Sequence, residues 1–157
     1  MDKKIHFEDI EHIIRETLDM GKSFKISPNG GSMLPLIVQG RDSVYIKKPA
    51  GRLKKYDIAF FKRDNGKFVL HRVVKVKKDS YVMCGDNQLI LEKGVEDRHI
   101  IGVVCKLECD GKTFDADDKK YKKYVVMRVN TRFIRKLSSL FRRAIGKIKR
   151  ILTVQNH

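Results

Sequence analysis

Long apolar runs are missing from this sequence: no uninterrupted stretch approaches the roughly 20 apolar residues that a bilayer-spanning helix needs. The opening segment, MDKKIHFEDIEHIIRETLDMG, is broken up by acids, so it reads neither as a signal peptide nor as a membrane span. Cysteine is scarce as well. Cys84, Cys105 and Cys109 make an odd count, which argues against a disulfide framework and fits a reducing compartment. Cys105 and Cys109 with His99 match no usual zinc spacing, and buried thiols are the expectation for them. Acidic residues are absent after position 118: all 19 lie at or before it, whereas 13 of the 35 Lys and Arg residues come later. A near-neutral body therefore carries a strongly basic tail, which holds most of the net charge of +16.

What is present divides the 157 residues into a single main domain with appendages. Residues 1–22 predict an N-terminal helix: Ile10, Ile13, Ile14 and Leu18 recur at helical spacing, Glu8, Asp9 and Glu11 fall in the first turn, and Gly21 stops it. Over 23–115 the period changes to two, in the runs SVYIK, DIAFFK, KFVLHRVVKVK, SYVMC and HIIGVVCKLEC. Asn65-Gly66 and Asp110-Gly111 supply tight hairpin turns, so this part reads as an antiparallel, mainly β body. Residues 116–128 read as a polar linker. Residues 129–157 predict a basic amphipathic helix and tail, with Phe133, Ile134, Leu137, Phe141, Ile145, Ile148 and Leu152 on one stripe. Arg132, Arg135, Lys136, Arg142, Arg143, Lys147, Lys149 and Arg150 occupy most of the opposite face. Such a helix suits docking on its own body, or an anionic membrane surface or acidic partner.

Three segments supply the groups for acyl transfer, in this order: GGSMLP at 30–35, VLHRVV at 69–74 and CGDNQ at 84–88. A serine hydroxyl is a poor nucleophile until a base takes its proton, and a histidine with an ordinary pKa of about 6.5 suits that task. A carboxylate on the second ring nitrogen fixes the tautomer and stabilises the imidazolium. Ser32, His71 and Asp86 are the candidates, and the set needs no metal or cofactor. Gly30 and Gly31 give the backbone freedom to bring the Ser32 N–H to a developing oxyanion. Met33 and Pro35 follow as substrate-contacting candidates. His71 shares a strand face with Val69 and Val73, where desolvation favours its neutral form, while Arg72 points the other way, either to pair with a carboxylate such as Asp86 or to face water. Each residue taken alone also has an ordinary role: a turn serine, a strand histidine, a hairpin aspartate.

Together the boxes resemble the signatures of the type I signal peptidase superfamily of serine endopeptidases, in the branch that uses histidine, as endoplasmic-reticulum and archaeal enzymes do. SMLP resembles the nucleophile box, KKYDIAFFKRDNGKFVLHRVVKV the strands ending in the base, YVMCGDNQ the acidic box and IIGVV the strand after it; the likeness spans residues 27–104. It implies Ser32 as nucleophile, His71 as general base, Asp86 as the residue orienting or supporting it, and a coiled, barrel-like antiparallel β core. Two departures stand out. The N-terminal segment reads as a soluble helix where most members have a membrane anchor, and Gly30 stands where some carry an oxyanion-donating serine.

The expectation is a soluble, cytoplasmic serine endopeptidase that cuts a peptide or a leader-bearing protein, held at the inner membrane face by its tail. The rival is a catalytically silent or self-cleaving relative acting as a regulatory protein that binds membrane or nucleic acid. Self-cleaving repressors of this superfamily carry a lysine base and a helix-turn-helix before the serine, and neither is evident here. Nucleic acid is the less favoured partner, since the tail does not interleave aromatic residues with its basic ones for base stacking.

Overall fold

The computed structural model describes residues 7–131 and residue 134. Helix α1 (Phe7–Asp19) precedes strands β1 (Phe24–Ile26), β2 (Ser43–Lys47), β3 (Ile58–Lys62), β4 (Phe68–Val76), β5 (Tyr81–Cys84), β6 (Glu92–Val95), β7 (Ile100–Cys109) and β8 (Lys112–Asp115), and helix α2 (Lys119–Asn130) follows them. All pairings are antiparallel and form one eight-stranded sheet in the order β1-β2-β7-β3-β4-β5-β6, with β8 also on β7. The sheet is mainly β as expected but stays open: β1 and β6 end it without meeting, so the barrel-like closure is not formed.

Strand β7 is the hub. One of its edges takes β2, and the other takes β3 at Ile100–Val103 and β8 at Lys106–Cys109. The hairpins turn where the sequence supplies residues that accept positive φ: Gly66 at +81° between β3 and β4, and Asp110 at +53° with Gly111 at +70° between β7 and β8. Alternation along each strand divides the buried side chains between the two faces. On one face Val44, Ile46, Ile58, Phe60, Leu70 and Leu107 pack with Ile14 and Leu18 of α1 and Tyr121 and Val125 of α2. On the other, Ala59, Phe61, Val73, Tyr81 and Met83 form a second cluster. Strand β3, apolar at every position from Ile58 to Phe61, serves both. Gly102 seats α1, because a Cβ there would come within 3.2 Å of Leu18 Cδ1 and closer still to Ile46.

Two weakly patterned segments are ordered by tertiary contact. Strand β6, EKGV, pairs with β5 across a bulge at Gly94. The stretch expected as a polar linker is largely α2. Asp118 caps it, its carboxylate accepting from the Lys120 and Tyr121 N–H groups, and Tyr121 and Val125, one turn apart, are the only side chains it buries. The basic tail helix lies outside the described residues, apart from Asn130, Thr131 and an exposed Ile134. Among the described residues no helix is long and apolar enough to cross a membrane. Replacing Asp118 with Ala should fray the first turn of α2, costing about 1 kcal/mol in urea unfolding and accelerating hydrogen exchange at Lys120 and Tyr121 while β7 amides are unchanged.

Candidate active site

Ser32 and His71 line one cavity of about 400 Å³. Its walls are the segment Ser27–Gly30 that runs from edge strand β1 and the first half of β4, with Met33, Ile37 and Phe60 below. Strand β4 pairs with β5 from Arg72 onward, and Phe68–His71 pairs with β3; among the described residues no strand pairs with Val69–His71 on the other edge. No hydrogen bond joins Ser32 to His71, and the Ser32 hydroxyl makes none among the described residues.

The serine loop is held by the turn after β5. The Asn87 N–H donates to the Ser32 carbonyl at 2.8 Å, and the Asn87 side-chain amide donates to the Gly31 carbonyl at 3.1 Å. Gly85 permits this approach, since a Cβ there would lie 2.5 Å from the Ser32 carbonyl oxygen. The Leu34 N–H also donates to the Gly31 carbonyl, at 3.3 Å. A trans peptide sets the Ser32 N–H opposite that carbonyl, so it points away from both donors. Gly30, at φ +86°, gives its own N–H to Gln39 Oε1 at 2.7 Å, which removes it as an oxyanion donor. Met33 is a buried core residue that floors the cavity, whereas Pro35 is exposed and does not line it.

His71 is 4% exposed, packed edge-on to Phe61. Burial holds its pKa below the ordinary value; nearby Glu92 pulls it up and Arg63 pushes it down. Its Nδ1 faces Glu92 Oε2 at 3.4 Å, an electrostatic contact longer than a formed hydrogen bond. Arg63 grips Glu92 with both nitrogens, at 2.5 and 2.8 Å. Partial burial raises the Glu92 pKa, but hydrogen bonds and charge from Arg63, with His71 adding to them, bring it below the ordinary value, so Glu92 stands ionised beside the imidazole.

Asp86 is elsewhere. Both of its oxygens accept from Arg72, at 2.8 and 2.7 Å, in a pair that is almost wholly buried. Arg72 Nη1 also donates to the Tyr56 carbonyl at 2.9 Å and to the Tyr121 hydroxyl at 3.0 Å. Arg72 thus takes the carboxylate and does not face water. The carboxylate that faces the imidazole Nδ1 is that of Glu92, where the sequence pointed to Asp86; Asp86 acts on His71 as a weaker charge than Glu92. Glu92 and Gln88, whose side chain lines the cavity, were not singled out from sequence. Glu92 lies in a short strand with Gly and Lys and carries no motif; Gln88 was quoted only as the end of the acidic box.

Cys105 and Cys109 are free, and burial raises the Cys109 thiol to about 11. No cluster of potential metal ligands occurs among the described residues. No family model, curated protein or solved structure matches the chain.

Two outcomes follow from this geometry. Asp86→Ala leaves the Arg72 guanidinium buried without its counter-charge and should cost about 3–5 kcal/mol in chemical denaturation. His71 should titrate by NMR with a midpoint below about 6.5. The unfolded chain then binds that proton more readily, so the stability His71 contributes is complete above about pH 6.5 and is lost as pH falls through its folded-state pKa.

Proposed function

We propose that this chain is a serine endopeptidase of the signal peptidase-like kind, with Ser32 as nucleophile and His71 as general base. The observation that carries the reading is that these two residues, distant in sequence, line one cavity in which the imidazole is kept neutral. Glu92 faces Nδ1, which leaves Nε2 to receive the Ser32 proton as Oγ attacks the scissile carbonyl. The imidazolium that forms is stabilised by Glu92 and returns the proton to the leaving amine. Water, deprotonated by the same imidazole, then releases the acyl group. The Ser32 N–H is the first oxyanion donor. Gln88, whose side-chain amide has no hydrogen-bond partner among the described residues, supplies the second.

The substrate is an extended peptide or the leader of a protein. The edge of Val69–His71 that β5 does not cover and the Ser27–Gly30 segment that lines the same cavity offer main-chain partners to such a strand. Asp86 supports the site by holding, with Arg72, the turn that clamps Ser32. A cytoplasmic setting at the inner membrane face suits the free thiols and the basic tail. The missing Ser32–His71 hydrogen bond favours the second reading, a catalytically silent relative that binds membrane or nucleic acid.

Mass spectrometry of a diverse peptide pool separates the two. Ser32→Ala and His71→Ala should each reduce cleavage by at least about a thousandfold while leaving the fold intact; cuts that persist in both variants, or no cuts by the wild type, defeat the peptidase reading. Activity should fall as pH drops through the His71 pKa. Because Glu92 raises that pKa, Glu92→Gln should move the acid limb to lower pH, with Asp86→Asn moving it less.

A further inference from the structure

A second cavity, about 600 Å³, is distinct from the one that holds Ser32. It lies between the β2–β3 connection and α2, and its wall is apolar, with Ile58, Val103, Val104, Val125 and Val126 among its residues. Five cationic side chains line it, Lys47, Arg52, Lys54, Lys55 and Lys122, against the carboxylates of Asp57 and Asp117. Asp117 is already paired with Lys122 at 2.8 Å, and Asp57 accepts the Lys54 N–H. Arg52 is anchored by the Lys78 carbonyl and the Tyr81 hydroxyl, and Lys55 lies over the Tyr56 ring. Lys47 and Lys54 line the same cavity as Asp117, and neither makes a salt bridge within 4 Å among the described residues.

An apolar wall under a cationic rim selects an anion that carries a hydrocarbon part. No acidic residue follows position 118, so charge does not favour that part of the sequence as the occupant of a cationic rim. Val126 of α2 lines the cavity and is exposed, as is the neighbouring Met127, so apolar surface extends outward from the rim. We propose that this cavity binds the phosphate headgroup of an anionic phospholipid, with the start of its acyl chains against the apolar wall. The headgroup phosphate sits between Lys47 and Lys54. This inference rests on the membrane-surface part of the proposed function and not on its peptidase chemistry.

The test is an amide NMR titration of the full chain with short-chain phosphatidylglycerol below its micelle concentration. Parallel titrations use phosphatidylcholine of the same chain length, glycerol 3-phosphate, inorganic phosphate and an acidic peptide. Saturable shifts at Gly51, Val104 and Ala116 are expected with phosphatidylglycerol, and affinity should weaken by about tenfold or more in a Lys47→Glu/Lys54→Glu double variant. Equal binding of phosphatidylcholine would remove the role of charge. Equal binding of glycerol 3-phosphate or inorganic phosphate would remove the role of the apolar wall. Tighter binding of the acidic peptide at these amides would make the cavity a protein-docking site, and shifts confined to residues after 131 would assign lipid contact to the tail alone; each of these overturns the proposal. Ser32-dependent cleavage of water-soluble peptides, measured on the same double variant without lipid, should be unchanged. A failure of lipid binding is therefore read separately from a failure of the peptidase reading.

Discussion

The buried pair of Arg72 and Asp86 is the constraint on which the arrangement of the molecule depends. Arg72 comes from the middle of β4, and four hydrogen bonds from its guanidinium reach the turn after β5, the β2–β3 connection through Tyr56 and α2 through Tyr121. Taking these charges out of water is costly, and their attraction offsets that cost only because the remaining donors and acceptors are satisfied. The bonds of the pair therefore tie three different parts of the chain to β4. Tyr56, at φ +86°, adopts a backbone conformation that few bulky residues take, and its carbonyl is one of the groups Arg72 requires.

The consequence for the serine loop is indirect and strong. Asp86 fixes the turn, Asn87 of that turn binds the Gly31 and Ser32 carbonyls, and Gly85 lets the two backbones touch. Through this chain of contacts a pair that never enters the cavity sets where Ser32 stands. His71, one residue before Arg72, projects to the opposite face of β4, so the same strand presents the imidazole to the cavity and the guanidinium to the core. Around the imidazole the charges are graded: burial favours its neutral form, while Glu92, kept ionised by Arg63, would stabilise the cation if it formed.

Much of the sheet was legible before any coordinates. SVYIK is β2 residue for residue, and DIAFFK, KFVLHRVVKVK, SYVMC and HIIGVVCKLEC enclose β3, β4, β5 and β7, because alternating β-branched and aromatic residues state their own period. Segments whose order comes from neighbours were not. EKGV has no alternation of its own and is a strand because β5 offers it an edge. KKYKKYVVMRVN is helical because Asp118 caps it and the sheet receives Tyr121 and Val125, although its lysines make it look like a linker.

For the candidate site the same division holds, with a physical cause. Sequence by itself determined the residue types and the local backbone: a serine beside two glycines, a histidine alternating with valines, an aspartate in a turn, and a tail of one charge sign. These are properties of neighbours along the chain. Which carboxylate faces the imidazole is a property of neighbours across the sheet, and only the tertiary structure decided it. Asp86 is nearer to His71 in sequence, but Arg72 holds it with two charge-assisted hydrogen bonds that no exposed partner matches. Glu92 takes the place beside His71 because β5 and its connection to β6 bring it back over β4, with Arg63 holding it there.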